Sequence, residues 1–346
     1  MDVKSKFNNR DSNYELLRLV AIFFIVYYHL LRFFVAPESS MIIYQSLQIP
    51  LHIGVPVFVL ISGYYGIKLS MCGLLRILLP LLFFYVPIET AGHFWIGFDC
   101  ADSLGLANPL FFISQSPYWF VRTYFWLFLL SPVLNLYLKE STSKQRLYLL
   151  AVLCIIAVYF GTVRGDSSLF GGKNVVNFMF IYVLGNTIRH YQKIIDGINL
   201  SSIIIGYILL NALILFLYHY FYSPTAVDLL TRLCFSYCSP LLIHNAVLFF
   251  LIFGRLHFHN EFVNRVASST FSVYIIHHVP FILFWILRPI TMSVVEIGSP
   301  SYTIGVLSVL SLGVMSACII TDQIFRPLFD YITKKVDSYL IGQKLG

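Results

Sequence analysis

Long apolar runs, separated by short polar segments, follow one another along almost the whole chain. About 20 residues of α-helix cross the hydrocarbon core of a membrane. Runs of this kind are predicted at about 14–35, 48–67, 74–97, 118–138, 146–161, 174–190, 201–222, 230–254, 269–290 and 301–325. Since a backbone in lipid must satisfy its own hydrogen bonds, the pattern predicts an all-α polytopic membrane bundle of about ten transmembrane helices.

The polar segments between the runs leave no room for a soluble domain. We therefore expect a cytoplasmic tail at 1–13, a transmembrane domain at 14–325 and a second cytoplasmic tail at 326–346. The first run is not expected to be a cleaved signal peptide, because it is too long, contains Arg18 and is followed by no small-residue cleavage site.

Composition and charge agree with a membrane protein. The chain is 58% hydrophobic and 11% charged, whereas soluble domains carry about 25% charged residues. With the N-terminus inside, 16 of the 23 lysines and arginines fall in inside segments and 6 in outside segments. The positive-inside rule therefore predicts that both termini are cytoplasmic. The net charge of +7 then reflects basic loops beside anionic membrane lipids, not nucleic acid.

The first apolar run carries Glu15, Arg18 and His29. Ionisable side chains are rare in membrane spans and usually face a protein interior or a wet cavity. Arg18 and His29 are eleven residues apart, which places them on nearly one helix face and about 16 Å apart along the axis. A snorkelling arginine and an interfacial histidine would also account for this pattern.

These residue types indicate a chemistry. Arginine binds phosphate through two parallel hydrogen bonds, and histidine accepts protons from hydroxyls near neutral pH. We interpret Arg18, helped by Lys68 or Arg76, as the grip on a phosphorylated acyl donor. His29 is then either the base that activates an alcohol or the covalent carrier of the acyl group.

The motifs, taken in order, resemble the integral-membrane acyltransferase-3 family, whose members include bacterial O-acetyltransferases of surface polysaccharides. That family has an arginine, ten residues and a histidine in its first span, as Arg18 and His29 are spaced here. The resemblance covers about residues 12–332. Its further motifs are VFVLISGYYG with Ser62, the triplet Trp119–Phe120–Val121, and the group Ser272, Tyr274 and His277.

Two positions depart from the family pattern. Many members have two arginines three residues apart before the third span; here Arg76 matches the second and Gly73 replaces the first, so Lys68 is expected to substitute. An acidic residue common before the C-terminal proline is replaced by Phe325. Asp322 lies nearby in the sequence.

The resemblance implies acetyl-CoA as co-substrate, no permanently bound cofactor and a glycan or lipid-linked saccharide as acceptor in the bacterial cytoplasmic membrane. No metal is expected, because His257 and His259 have no Cys or acidic partners at ligand spacing. It implies catalysis by His29 and donor binding by Arg18, Lys68 and Arg76. Acceptor or supporting roles are expected for Glu15, Ser62, Trp119, Arg122, Tyr274 and His277. The oligomeric state is not predicted.

The main alternative is a transporter or flippase of polysaccharide precursors, in which Arg18 and His29 would relay protons or substrate. The chain shows no inverted repeat of the sort many transporters have. A polysaccharide polymerase is a third hypothesis, but the large outer loop expected of one is missing from the sequence.

Overall fold

The computed structural model describes residues 10–33, 41–97, 118–221, 226–295 and 299–344. Within these ranges every regular element is helical and there is no β-strand. The predicted all-α fold of a polytopic membrane protein is therefore confirmed.

Sixteen α-helices lie in the described part of the chain. In order they are α1 Ser12–Leu31, α2 Met41–Leu51, α3 Gly54–Tyr65, α4 Met71–Pro80, α5 Val86–Ile96, α6 Trp119–Glu140, α7 Ser143–Cys154, α8 Val175–His190, α9 Gln192–Ile195, α10 Leu200–Tyr220, α11 Val227–Phe235, α12 Pro240–Gly254, α13 Glu261–Ala267, α14 Thr270–His277, α15 Arg288–Val295 and α16 Pro300–Lys344. π-Helical segments at Leu81–Tyr85, Ile155–Val163 and Phe281–Leu287 extend or join them, and Ser167–Gly172 is a 3₁₀-helix.

Among the described residues, eight helical stretches are long and apolar enough to cross a membrane. A ninth is obtained if the bent pair Glu261–His277 and Phe281–Ser293, which meet at 76°, counts as one span. The remaining predicted run, 174–190, forms α8, whose 16 residues are fewer than the roughly 20 that cross the hydrocarbon core upright. The eight stretches are Ser12–Leu31, Ile43–Tyr65, Met71–Trp95, Trp119–Glu140, Ser143–Val163, Leu200–Tyr220, Val227–Gly254 and Pro300–Leu340.

The described chain forms two compact units. The first contains the described residues within 1–28, 36–67 and 123–264, and the second contains those within 29–35, 68–122 and 265–346. Helix α1 is continuous, and its last residues, from His29 onwards, belong to the second unit.

In the first unit, α3 and α8 pack with their backbones in close approach. A Cβ atom added at Gly63 would lie 2.8 Å from the carbonyl carbon of Tyr182, and closer still to its oxygen. A Cβ added at Gly185 would lie 3.2 Å from the carbonyl carbon of Leu60. Each helix thus presents a glycine to the other, which is how membrane helices gain contact without a hydrophobic driving force.

A polar contact joins α10 to α12 in the same unit. The side-chain amides of Asn211 and Asn245 exchange two hydrogen bonds, each 3.0 Å long. Because α10 is otherwise strongly apolar, with Ile, Leu and Phe along most of its length, this amide pair fixes which of its faces meets α12.

In the second unit, α16 packs against α4 and α14. Phe325 of α16 contacts the ring of Phe84 at 5.4 Å between centroids, so the residue that replaces the family's acidic position has an apolar partner. Gln323 donates a hydrogen bond to the hydroxyl of Ser269 at 2.6 Å, and Arg326 donates to the carbonyl oxygen of Ser268 at 2.8 Å. These bonds attach α16 to the chain just before α14.

The boundaries of the predicted tails fall within or beside helices. Helix α1 begins at Ser12, whose hydroxyl oxygen accepts a hydrogen bond from the backbone N–H of Asn260 at 2.8 Å. Most of the predicted tail 1–13 lies outside the described residues. Helix α16 continues without a break to Lys344, through the region predicted as the second tail.

Candidate active site

Three histidines, His29, His277 and His278, form a cluster within the second unit. His29 is half-buried near the end of α1, and His277 is the fully buried last residue of α14. The Nδ1 atom of His29 lies 2.9 Å from the Nε2 atom of His277. The ring of His29 also lies 4.5 Å from that of His278, centroid to centroid.

The cluster exists because α14 is broken at this point. Pro280 has no backbone N–H and disfavours a helical conformation at the preceding residue, so α14 ends at His277. The chain bends by 76° and resumes as the π-helical segment that begins at Phe281. The Oε2 atom of Glu89 accepts a hydrogen bond from the backbone N–H of Phe281 at 3.3 Å. Two adjacent histidines are thereby placed at an interruption of a membrane span, where Glu89 satisfies one backbone N–H.

A cavity of about 220 Å³ opens beside the cluster. It is lined by both basic and apolar side chains, as small-molecule sites usually are. The lining residues are His29, Arg32, Phe33, His278, Pro280, Leu283 and Phe284. The Nδ1 atom of His278 is buried and has no hydrogen-bond partner among the described residues.

The rings of Tyr274 and Tyr118 pack against His278 of the cluster. The ring of Tyr274 stacks on that of His278 at 5.6 Å with an interplanar angle of 14°. The hydroxyl of Tyr118 donates a hydrogen bond to the carbonyl oxygen of Ile275 at 3.0 Å, and its ring lies 5.5 Å from His278. Of the predicted supporting residues, Tyr274 and His277 are therefore brought to His29, one through His278 and one directly.

A second polar group lies in the first unit, at the start of α1. The buried carboxylate of Glu15 accepts hydrogen bonds from Arg10 at 3.2 Å and from Arg18 at 3.1 Å. The Arg18 side chain is 30% exposed. Two guanidinium groups therefore share one carboxylate, and Arg18 remains partly exposed.

Ser62 makes contacts within α3 and with α6. Its hydroxyl donates a hydrogen bond to the carbonyl oxygen of Phe58 at 2.9 Å, one turn earlier in α3. Its oxygen also lies 3.2 Å from the hydroxyl oxygen of Tyr124. These contacts indicate that Ser62 joins α3 to α6 within the first unit.

The other predicted residues lie apart from the cavity. Lys68 and Arg76 are exposed, before and within α4. Trp119 and Arg122 are half-buried in the first turn of α6. None of these four is among the described residues that line the cavity beside His29.

Sequence analysis assigned no role to Arg32 or His278, although both line the cavity. Arg32 follows His29 by three residues, and His278 stands two residues before Pro280. A helix break at that proline was the available signal for His278. The signal for Arg32 was its spacing from His29, which returns to the same side of a helix.

Comparison with known proteins identifies the family of the chain. The family model described as an acyltransferase domain, that of the acyltransferase-3 family, matches residues 11–322. No curated protein and no solved structure matches the chain.

Proposed function

Since the chain belongs to the acyltransferase-3 family and is thus a membrane acyltransferase, we propose that it moves an acyl group, acetyl by default, from acyl-CoA to a hydroxyl of a surface or lipid-linked glycan. The observation that carries the proposal is the position of His29, in contact with His277 and in the wall of a cavity of about 220 Å³. The family match favours this enzyme over the transporter alternative.

The proposed reaction needs one proton acceptor at the cavity. The acceptor hydroxyl oxygen bonds to the thioester carbonyl carbon while its proton moves to a ring nitrogen of His29. The carbon–sulfur bond then breaks, and the leaving thiolate takes that proton from His29. Histidine suits both steps because its ordinary protonation equilibrium lies near neutral pH.

The donor phosphates require cations, and Arg18 is the best placed on α1. It contacts Glu15 through one guanidinium nitrogen, while the guanidinium fork carries five N–H donors in all. Arg18 precedes His29 by eleven residues of one uninterrupted helix, about 16 Å of helical rise. The extended arm of coenzyme A separates its phosphates from its thioester, which suits binding of the phosphates by Arg18 and reaction of the thioester at His29. Lys68 and Arg76, both exposed, are proposed as further donor contacts.

The cellular setting is part of the proposal. From the distribution of lysine and arginine we expect both termini in the cytoplasm, and the resemblance to bacterial O-acetyltransferases suggests a bacterial inner membrane. The donor then enters from the cytoplasmic side of the inner membrane. The acceptor approaches the aromatic start of α6, around Trp119, from the outside.

The first test is turnover of purified protein with acetyl-CoA and a glycan acceptor, followed by thiol release and by base-labile ester on the glycan. His29→Ala is expected to lower turnover by about 10²–10⁴-fold, the usual contribution of a general base. His259→Ala, at an exposed histidine, is the matched control and is expected to retain wild-type turnover. Retention of more than about a tenth of wild-type turnover by His29→Ala contradicts a general-base role.

The covalent alternative has its own readout. If His29 carries the acyl group, incubation with acetyl-CoA alone adds one acetyl mass to the peptide that contains it, and His29→Ala abolishes that addition. If transfer is direct, no acetylated peptide forms without acceptor, and thiol is released only when acceptor is present.

A further inference from the structure

We infer that His277 is a positioning residue that fixes the tautomer of His29, so that Nε2 of His29 carries the lone pair that accepts the substrate proton. This inference rests on the proposed function for its catalytic meaning. The hydrogen-bond order that it assigns can be measured without activity.

The sequence of donors and acceptors begins at a backbone carbonyl of α14. The Nδ1 atom of His277 lies 2.6 Å from the carbonyl oxygen of Val273. A carbonyl oxygen only accepts hydrogen bonds, and it has two lone pairs, so it can receive this bond besides one helical bond. The proton of this contact must therefore reside on Nδ1 of His277.

The second nitrogen of His277 is then an acceptor. His277 is 0% exposed within the second unit. Because an ionised side chain buried in a membrane span is costly, the His277 ring is neutral. A neutral imidazole has one donor and one acceptor nitrogen. With its proton on Nδ1, His277 presents only a lone pair at Nε2.

The bond between the two rings assigns the proton of His29. Nε2 of His277 and Nδ1 of His29 are 2.9 Å apart, and the contact needs one proton between them. Because His277 supplies none, His29 donates through Nδ1. In a neutral ring the other nitrogen then carries the lone pair, so the tautomer of His29, a residue that lines the cavity, is the one with an acceptor Nε2.

The arrangement has the logic of a base oriented by a third group. Once His29 has taken the substrate proton at Nε2, its Nδ1–H remains bonded to His277, which stabilises the imidazolium. His277 touches no reacting atom in this scheme. It holds the ring and selects which nitrogen reacts.

Two variants separate this role from simple packing. The amide of glutamine occupies about the position of the histidine Nε2 atom, and that of asparagine about the position of Nδ1. His277→Gln therefore keeps an acceptor oxygen for His29, whereas His277→Asn keeps only the contact toward Val273. We expect kcat to fall by less than about tenfold for His277→Gln and by about 10²–10⁴-fold for His277→Asn, with the KM for acyl-CoA unchanged in both.

The deciding measurement is nitrogen-15 NMR of the full chain, labelled at histidine, with His29→Gln used to assign the His29 signals by subtraction. The expected result is a proton on Nδ1 of His29 in the wild type and in His277→Gln, and a loss of this preference in His277→Asn. A wild-type proton on Nε2 of His29 would overturn the inference, as would equal kcat for the two variants. A normal tautomer with an active His29→Ala enzyme would instead uphold this inference and reject the proposed function.

Discussion

The close approach of α3 and α8 gives a quantitative prediction for Gly63→Ala. The added Cβ would lie 2.8 Å from the carbonyl carbon of Tyr182 and closer still to its oxygen. Both are backbone atoms, so no side-chain rotation relieves the clash, and the helices must separate by on the order of 1 Å. Overpacking of this kind costs about 1–3 kcal/mol, and we expect the upper part of that range.

The same substitution at an open site provides the control. A Cβ added at Gly305 of α16 meets nothing within 4 Å. Gly305→Ala therefore brings only the gain in helix propensity, about 1 kcal/mol, which Gly63→Ala shares. The two variants are expected to differ by about 3 kcal/mol, or roughly 6–12 °C in melting temperature if a kilocalorie corresponds to about 2–4 °C.

The assay is size-exclusion chromatography of each variant after heating in the same detergent, with the surviving folded peak plotted against temperature. Gly63→Ala should melt several degrees below the wild type, and Gly305→Ala at or slightly above it. If Gly63→Ala melts within about 1 °C of Gly305→Ala, the two helices do not pack through this glycine and the described contact is wrong.

Two further predictions concern the donor. Arg18→Lys keeps the charge but loses the two-point grip, so the KM for acyl-CoA should rise while the acceptor KM stays nearly constant; an unchanged donor KM would leave Arg18 only its structural bond to Glu15. In oriented vesicles, transfer to an acceptor on the opposite face should require acyl-CoA on the cytoplasmic side. A requirement for donor and acceptor together on the cytoplasmic face would reject transfer across the membrane and indicate an intracellular acceptor.

The sequence predicted the positions of the helices better than it predicted the side-chain contacts between them. The apolar runs predicted the helices because length and hydropathy are local properties. The spacing of Arg18 and His29 on one continuous helix likewise followed from helical geometry alone. The family assignment rested on motifs that are also local, and the family match confirms it.

Partners across the fold were harder to predict. His277 was expected near the site, but its bond to His29 depends on how α14 is placed against α1. The roles of His278 and Arg32 in the cavity depend on the direction taken after Pro280, which a proline alone does not specify. Ser62 lay in a recognised motif, and its bond to Phe58 is local to α3, but its contact with Tyr124 depends on how α3 packs against α6.

The interruption of the ninth span has a consequence for how the protein is assembled. The two helical stretches that meet at the break are Glu261–His277 and Phe281–Ser293, and at about 1.5 Å per residue neither reaches across a hydrocarbon core of about 30 Å. A nascent chain cannot release these halves into lipid as stable segments, since the polar backbone at the break would face hydrocarbon. In the folded chain Glu89 accepts a hydrogen bond from Phe281 at the break, and α16 packs against α14. We therefore expect the histidine cluster to be completed late in biogenesis, after α16 has been synthesised.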